Sequence, residues 1–242
     1  MRKILFWGLL PVVLPQAIYV RKRAPRFPAA NGWTRGVFGT GKEFRLVAIG
    51  DSIIAGVGAT TLSNALVGQT AEQLSYLLGC KIAWNAVGRI GADSKQVIED
   101  LIPQLPRQSA EFMILSVGVN DATSLSRVPG WRENLAKILD TLRSHSPRAI
   151  IAVAGIPPLK DFPLLPQPLR AWLGMRGEIL DRTARDEIKR HENAIYMPLD
   201  FEVKPESFSA DGFHPSEESY RALGKMMARR IAERFKMIAS EL

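Results

Sequence analysis

The chain is poor in the residues that most often advertise chemistry. Its 242 residues hold one cysteine, Cys80, and three histidines, His145, His191 and His214. A single cysteine excludes a disulfide framework and a cysteine-rich metal site. Three dispersed histidines with that one cysteine make a poor metal-ligand set, so no metal or other cofactor is expected. No serine sits in a Gly-x-Ser-x-Gly elbow, which counts against the α/β-hydrolase fold. Gly56-Val57-Gly58 lacks the third glycine and the helix start of a dinucleotide loop.

Acidic residues are missing from one end. Residues 1–42 carry Arg2, Lys3, Arg21, Lys22, Arg23, Arg26, Arg35 and Lys42 and no acid. Removing those eight from 32 basic residues leaves 24 against 24 acidic ones from Glu43 onward, so the formal charge of +8 sits entirely in the leader. A neutral domain argues against nucleic acid as a partner. Within the leader, ILFWGLLPVVLPQAIYV at residues 4–20 supplies 17 uncharged, mostly apolar residues, the short limit for a membrane span. Pro11 and Pro15 would bend such a helix without forbidding it in lipid. The expectation is attachment to a membrane surface through residues 1–26. The heavier basic cluster, RKR, follows the apolar run and favours the cytoplasmic side for the domain. Two other readings stay open: an export signal, cleaved or not, and an arm packed on the domain. No small-x-small cleavage site directly follows the apolar run, which weakens the cleaved signal.

What is present begins at residue 43. Short β-branched apolar runs near 44–49, 81–87, 111–117, 149–154 and 194–199 read as strands. Helical patterns fall between them near 63–78, 94–102, 131–144 and 173–191. A last helix near 216–237 places Tyr220, Leu223, Met227, Ile231, Phe235 and Ile238 on one face. Strand–helix alternation implies an α/β fold: a parallel five-stranded sheet between two helical layers, flavodoxin-like, over residues 43–242. Residues 155–175, GIPPLKDFPLLPQPLRAWLGM, hold five prolines. They cannot be helical throughout and are too apolar for a solvated loop.

In such sheets ligands bind beyond the carboxyl ends of the strands, and those ends are unusual here. The first strand stops in Gly50-Asp51-Ser52. The second leaves through AVGRIGADS at 86–94 and the third through SVGVNDATS at 116–124; SADGFHPSE at 209–217 precedes the final helix. Each has a plain reading as a turn or a helix cap. Together they hold the parts of an acyl-transfer site. His145 and His191 fall at the ends of charged helices, where an imidazole facing solvent suits the helix dipole. His214 alone sits in a loop, which makes it by elimination the candidate general base for Ser52. Asp211, three residues earlier, is placed to hold its Nδ1.

These four blocks resemble those of the GDSL or SGNH hydrolases, in the same order over about residues 44–225. The resemblance implies the SGNH hydrolase fold with Ser52 as nucleophile and Asp211 and His214 completing the triad. It implies an oxyanion hole made by the N–H groups of Ser52 and Gly91 and the side-chain amide of Asn120. The activity implied is hydrolysis of carboxylic esters, of esterase or lipase type, on a small-molecule or lipid ester. Lysophospholipase, thioesterase or O-acyl transfer on the same triad remains open, as does a membrane-associated binding protein without catalysis. Phe162 and Leu165, in the proline-rich segment, are expected to wall or cover an acyl pocket.

Overall fold

A computed structural model describes residues 8–199 and 204–240. Met1–Trp7, which begin the apolar leader, lie outside the described residues. The five expected strands are present, with a sixth before them. β1 is Arg35–Phe38, β2 Glu43–Gly50, β3 Lys81–Gly88, β4 Phe112–Ser116, β5 Ile150–Ala154 and β6 Ala194–Met197. Their order across the sheet is β1-β3-β2-β4-β5-β6. All neighbours run parallel except β1, which pairs antiparallel to β3 from Arg35 opposite Asn85 to Phe38 opposite Ile82. The sheet therefore has six strands rather than five. The extra strand is four residues long and half exposed, with no run of apolar residues to mark it inside the basic leader.

β5 and the inner part of β2 and β4 are apolar in unbroken runs because both faces are covered. Side chains alternate across a strand. Leu46 and Ala48 of β2 therefore pack with α2 (Leu66–Leu78) and α7 (Glu217–Ser240). Val47 and Ile49 enter the other cluster, with α5 (Val128–His145) and α6 (Leu169–Ile188). The connection after β3 runs slightly further than the expected helix over 94–102 and is less regular. One α-helical turn, α3 (Ser94–Gln96), leads into a π turn and a 3-10 turn that ends at Gln104. Pro103, lacking an N–H, cannot continue the helical ladder.

The leader contributes a 14-residue helix, α1 (Leu10–Arg23). Val13 is fully buried against the sheet's second cluster, and the Gln16 amide donates to the Gln167 carbonyl and accepts from the Leu169 N–H. Among the described residues no helix is long and apolar enough to cross a membrane. The proline-rich stretch resolves into a 3-10 turn at Leu159–Asp161, an irregular run, and the first turns of α6. Register sets the working end of the molecule: Gly50 lies between Gly88 on one neighbour and Ser116 on the other.

Candidate active site

The turn after β2 is possible only with glycine at its start. Gly50 has φ +150°, and a Cβ there would lie 1.9 Å from the Ser116 carbonyl oxygen. The Asp51 N–H then donates to that carbonyl at 3.0 Å. The Asp51 carboxylate folds back and accepts from the Ile53 N–H at 3.1 Å and the Ser116 hydroxyl at 3.0 Å. This stitches the turn to β4 and leaves Ser52 at its apex, largely buried. Burial pushes the Asp51 pKa from 3.8 up to about 6, against the pull of those two hydrogen bonds and of His214. The sequence gives no sign that this aspartate is buried; only the shared bond with Ser116 on a neighbouring strand reveals it.

The loop before α7 is a tight local structure. The Ser209 N–H donates to the His214 carbonyl at 2.8 Å, and Gly212 N–H donates to the Ser209 carbonyl at 2.9 Å. Inside this turn one oxygen of Asp211 accepts from the backbone N–H groups of Phe213 and His214 and from the Ser209 hydroxyl, each at 2.9 Å. Its other oxygen lies 2.6 Å from His214 Nδ1, and His214 Nε2 lies 2.9 Å from Ser52 Oγ. Burial would raise the Asp211 pKa, but the bonds from the His214 ring and from the two N–H groups outweigh it and hold it at about 2. Ser52, His214 and Asp211 thus form one hydrogen-bonded chain spanning 162 residues of sequence. A hydroxyl so placed can pass its proton to the imidazole as it attacks, while the carboxylate fixes the ring and balances its charge.

The ends of β3 and β4 meet beside this chain. Gly91, three residues past β3, has φ +79°. Asn120 lies in the one-turn helix α4 (Val119–Thr123), where its side-chain amide donates to the Ala92 carbonyl at 3.0 Å. One of its two amide protons is therefore committed and its orientation is fixed. The N–H groups of Ser52 and Gly91 make no hydrogen bond among the described residues. The neighbouring Asp121 is buried and takes the Ser94 hydroxyl at 2.6 Å and the Ser94 N–H at 2.9 Å. This pair locks α4 to the turn that carries Gly91. Asn120-Asp121 is thus not a side-chain helix cap; Gly118 occupies the cap position.

Neither remaining histidine faces solvent freely. His145 is half-buried, with Nδ1 2.8 Å from the Ser146 hydroxyl and Nε2 2.6 Å from the Pro106 carbonyl. The His191 ring nitrogens sit 3.7 Å from Asp140 and 3.6 Å from Glu187. The charged helix-end pattern identified their positions correctly but could not show that other elements cover them. Among the described residues no three potential metal ligands cluster.

Two cavities adjoin the chain of hydrogen bonds. A small one of about 50 Å³ is bordered by Ser52, His214, Gly155 and Phe162. A larger one of about 520 Å³ is bordered by Gly91, Asn120, Leu165 and the inner face of α1. Phe162 and Leu165 are both buried, so they border cavities as part of the core rather than as an exposed lid. The Phe162 ring meets those of Phe208 and Phe213 edge-on at 5.1 and 5.0 Å, and the Leu164 N–H donates to the Gly212 carbonyl at 3.1 Å. The proline-rich segment is thereby docked onto the loop that carries His214.

A three-layer α/β/α domain with a serine at the carboxyl end of its central strand defines the class: an ester-bond hydrolase on the SGNH scaffold. The chain belongs to the GDSL-like lipase/acylhydrolase family, whose model matches residues 48–222. A GDSL-like esterase of Mycobacterium tuberculosis is 29% identical over 239 residues, covering 89% of this chain and 74% of its own. The fold is shared with a lipase/acylhydrolase from Enterococcus faecalis at 24% identity and TM-score 0.59, over 79% of this chain and 96% of that one. It is shared also with the psychrotrophic esterase EstA from a Pseudoalteromonas species at 15% identity and TM-score 0.60, over 79% and 97%.

Proposed function

We propose that this hydrolase cleaves carboxylic esters through an acyl-enzyme formed on Ser52, with His214 as general base and acid and Asp211 as its partner. The observation that carries this reading is the unbroken chain from Ser52 Oγ to His214 Nε2 at 2.9 Å and from His214 Nδ1 to Asp211 at 2.6 Å. As Ser52 Oγ attacks the ester carbonyl, His214 takes its proton and the carbonyl oxygen becomes an oxyanion. Collapse expels the alkoxide, which His214 protonates, and leaves Ser52 acylated. Water, deprotonated by His214, then attacks the ester so formed and releases the acid. Three donors are free to meet the oxyanion: the N–H groups of Ser52 and Gly91 and the second amide proton of Asn120. One such donor is typically worth about 10²–10³ in kcat.

A fluorophosphonate probe should label the wild-type protein at a single site and fail to label Ser52→Ala. Equal labelling of both would overturn the assignment of the nucleophile. For location we read α1 as a contact for an anionic membrane surface. Val12, Leu14, Ile18 and Tyr19 are each about half exposed or more along it, and Arg21, Lys22, Arg23 and Arg26 follow without an acid. Such attraction amounts to about 1 kcal/mol per basic residue and weakens with salt. Sedimentation with vesicles containing phosphatidylserine, in low and high salt, tests it; the same sedimentation with neutral vesicles at both salts would remove the electrostatic part.

A further inference from the structure

Resting on that reading of Ser52 and His214, we infer that α1 is the far wall of the acyl-chain pocket, and that the enzyme prefers esters of extended apolar acids over acetates. The wall lies outside the family's shared part, since Leu10–Arg23 precede the match at residues 48–222.

The two cavities divide the substrate between them. His214 borders the small one and not the large one; Gly91 and Asn120 border the large one and not the small one. His214 must protonate the departing alkoxide, so the alcohol leaves on its side, where only about 50 Å³ is open. The acyl group therefore extends past Gly91 and Asn120 into about 520 Å³. That space is apolar along most of its wall. Val13 and Ala17 of α1 face Leu165, Trp172 and Leu173 across it, with Phe213 at the junction of the two cavities. Arg21 and Asp93 are the charged residues that border it, and the remaining lining is mostly apolar.

The helix is held in register as a wall should be. The Gln16 side chain bridges the Gln167 carbonyl at 2.9 Å and the Leu169 N–H at 3.1 Å, and so ties α1 to the start of α6. Val13, one turn before Ala17, is 1% exposed. Residues of α1 thus share the pocket with Leu164, Leu165, Leu169, Trp172, Leu173 and Phe213, all more than 140 positions further along the chain, and α1 decides its depth.

The test is a series of p-nitrophenyl esters from acetate to dodecanoate, read as kcat/KM, on the full chain. Burying a methylene contributes about 0.8 kcal/mol, about fourfold each, so octanoate should exceed acetate by at least ~10²-fold. Ala17→Trp fills the pocket from the α1 side and should lower the octanoate-to-acetate ratio at least tenfold. Tyr76→Trp adds bulk at an 85% exposed position of α2, bordering neither cavity, and should keep the wild-type profile. A truncation that removes residues 1–26 and stays soluble should flatten the series. A wild-type series flat from the start, or an Ala17→Trp profile parallel to wild type, overturns the role of α1. Activity surviving Ser52→Ala across the whole series would instead overturn the reading on which the inference rests.

Discussion

The loop at 209–216 and the helix α1 both border the larger cavity, the loop through Phe213, and they are held in place by different forces. The loop is polar and local. Asp211 alone gathers three hydrogen bonds from groups within three residues of itself and a fourth contact from the His214 ring. The helix is attached mainly by apolar packing to residues far along the chain, with Gln16 as its main polar tie. Hydrogen bonds fix atoms to within a few tenths of an ångström, which proton transfer requires. Apolar packing excludes water and sets volume, which is enough to choose among acyl chains. On the proposed function, the chemistry rests on the first kind of structure and the selectivity on the second.

Breaking the polar side should have the largest effects. Ser52→Ala and His214→Ala should each lower kcat by about 10⁴-fold. His191→Ala should stay near wild type, and His145→Ala should lose melting temperature rather than kcat, because its ring ties α5 to the Pro106 carbonyl. Comparable loss of kcat in all three histidine variants would dissolve the contrast between His214 and the rest.

Next in size is Asn120, the proposed side-chain donor to the oxyanion. Asn120→Ala should reduce kcat by about 10²-fold with KM little changed, measured on a short ester. The Asn120 amide also holds the Ala92 carbonyl, so a modest fall in melting temperature should accompany it. A large fall in stability with full activity per folded molecule would make Asn120 a structural bond and nothing more.

The smallest effect concerns two of the buried aspartates, Asp51 and Asp211, whose environments oppose each other. Asp51 titrates at about 6, above its ordinary 3.8, and Asp211 at about 2, below it. A raised carboxylate pKa means the folded state holds its proton more tightly. The stability this brings is complete below 3.8 and is lost as pH rises through 6. For Asp211 the sign reverses: its contribution is present above 3.8 and disappears as pH falls toward 2. Asp51→Asn keeps an acceptor for Ile53 and Ser116 but cannot ionise. It should therefore stabilise the protein at pH 8, by on the order of 3 kcal/mol at most, and bring no gain at pH 3.5. Melting curves at the two pH values read this directly; equal shifts at both would assign the effect to packing instead of charge.

Much of this arrangement was legible before folding. The four blocks at 50–52, 86–94, 116–124 and 209–217 carry residue types whose roles depend on short-range geometry. A glycine that alone tolerates φ +150° fixes the turn before Ser52, and an aspartate three residues before a histidine reaches its ring within a single turn. The five parallel strands announced themselves because a sheet covered on both faces needs uninterrupted apolar runs. β1 escaped because four half-exposed residues on a sheet edge need no such run. The solvent-facing positions expected for His145 and His191 failed for a related reason, since what covers a helix end belongs to another element.

The amino-acid order alone marked Ser52, Gly91 and Asn120 as following strand ends and Asp211 as lying within one turn of His214, because local turns and periodic burial follow from neighbouring residues. Only the tertiary structure decided that Asp51 is buried against Ser116, that Asn120 is clamped to Ala92, and that a helix from the leader walls a cavity beside Gly91. Each of these joins residues between 28 and 153 positions apart. Contacts of that kind leave no period or motif in the chain; they exist only once the sheet has brought its strand ends together and the apolar face of α1 has found its partner.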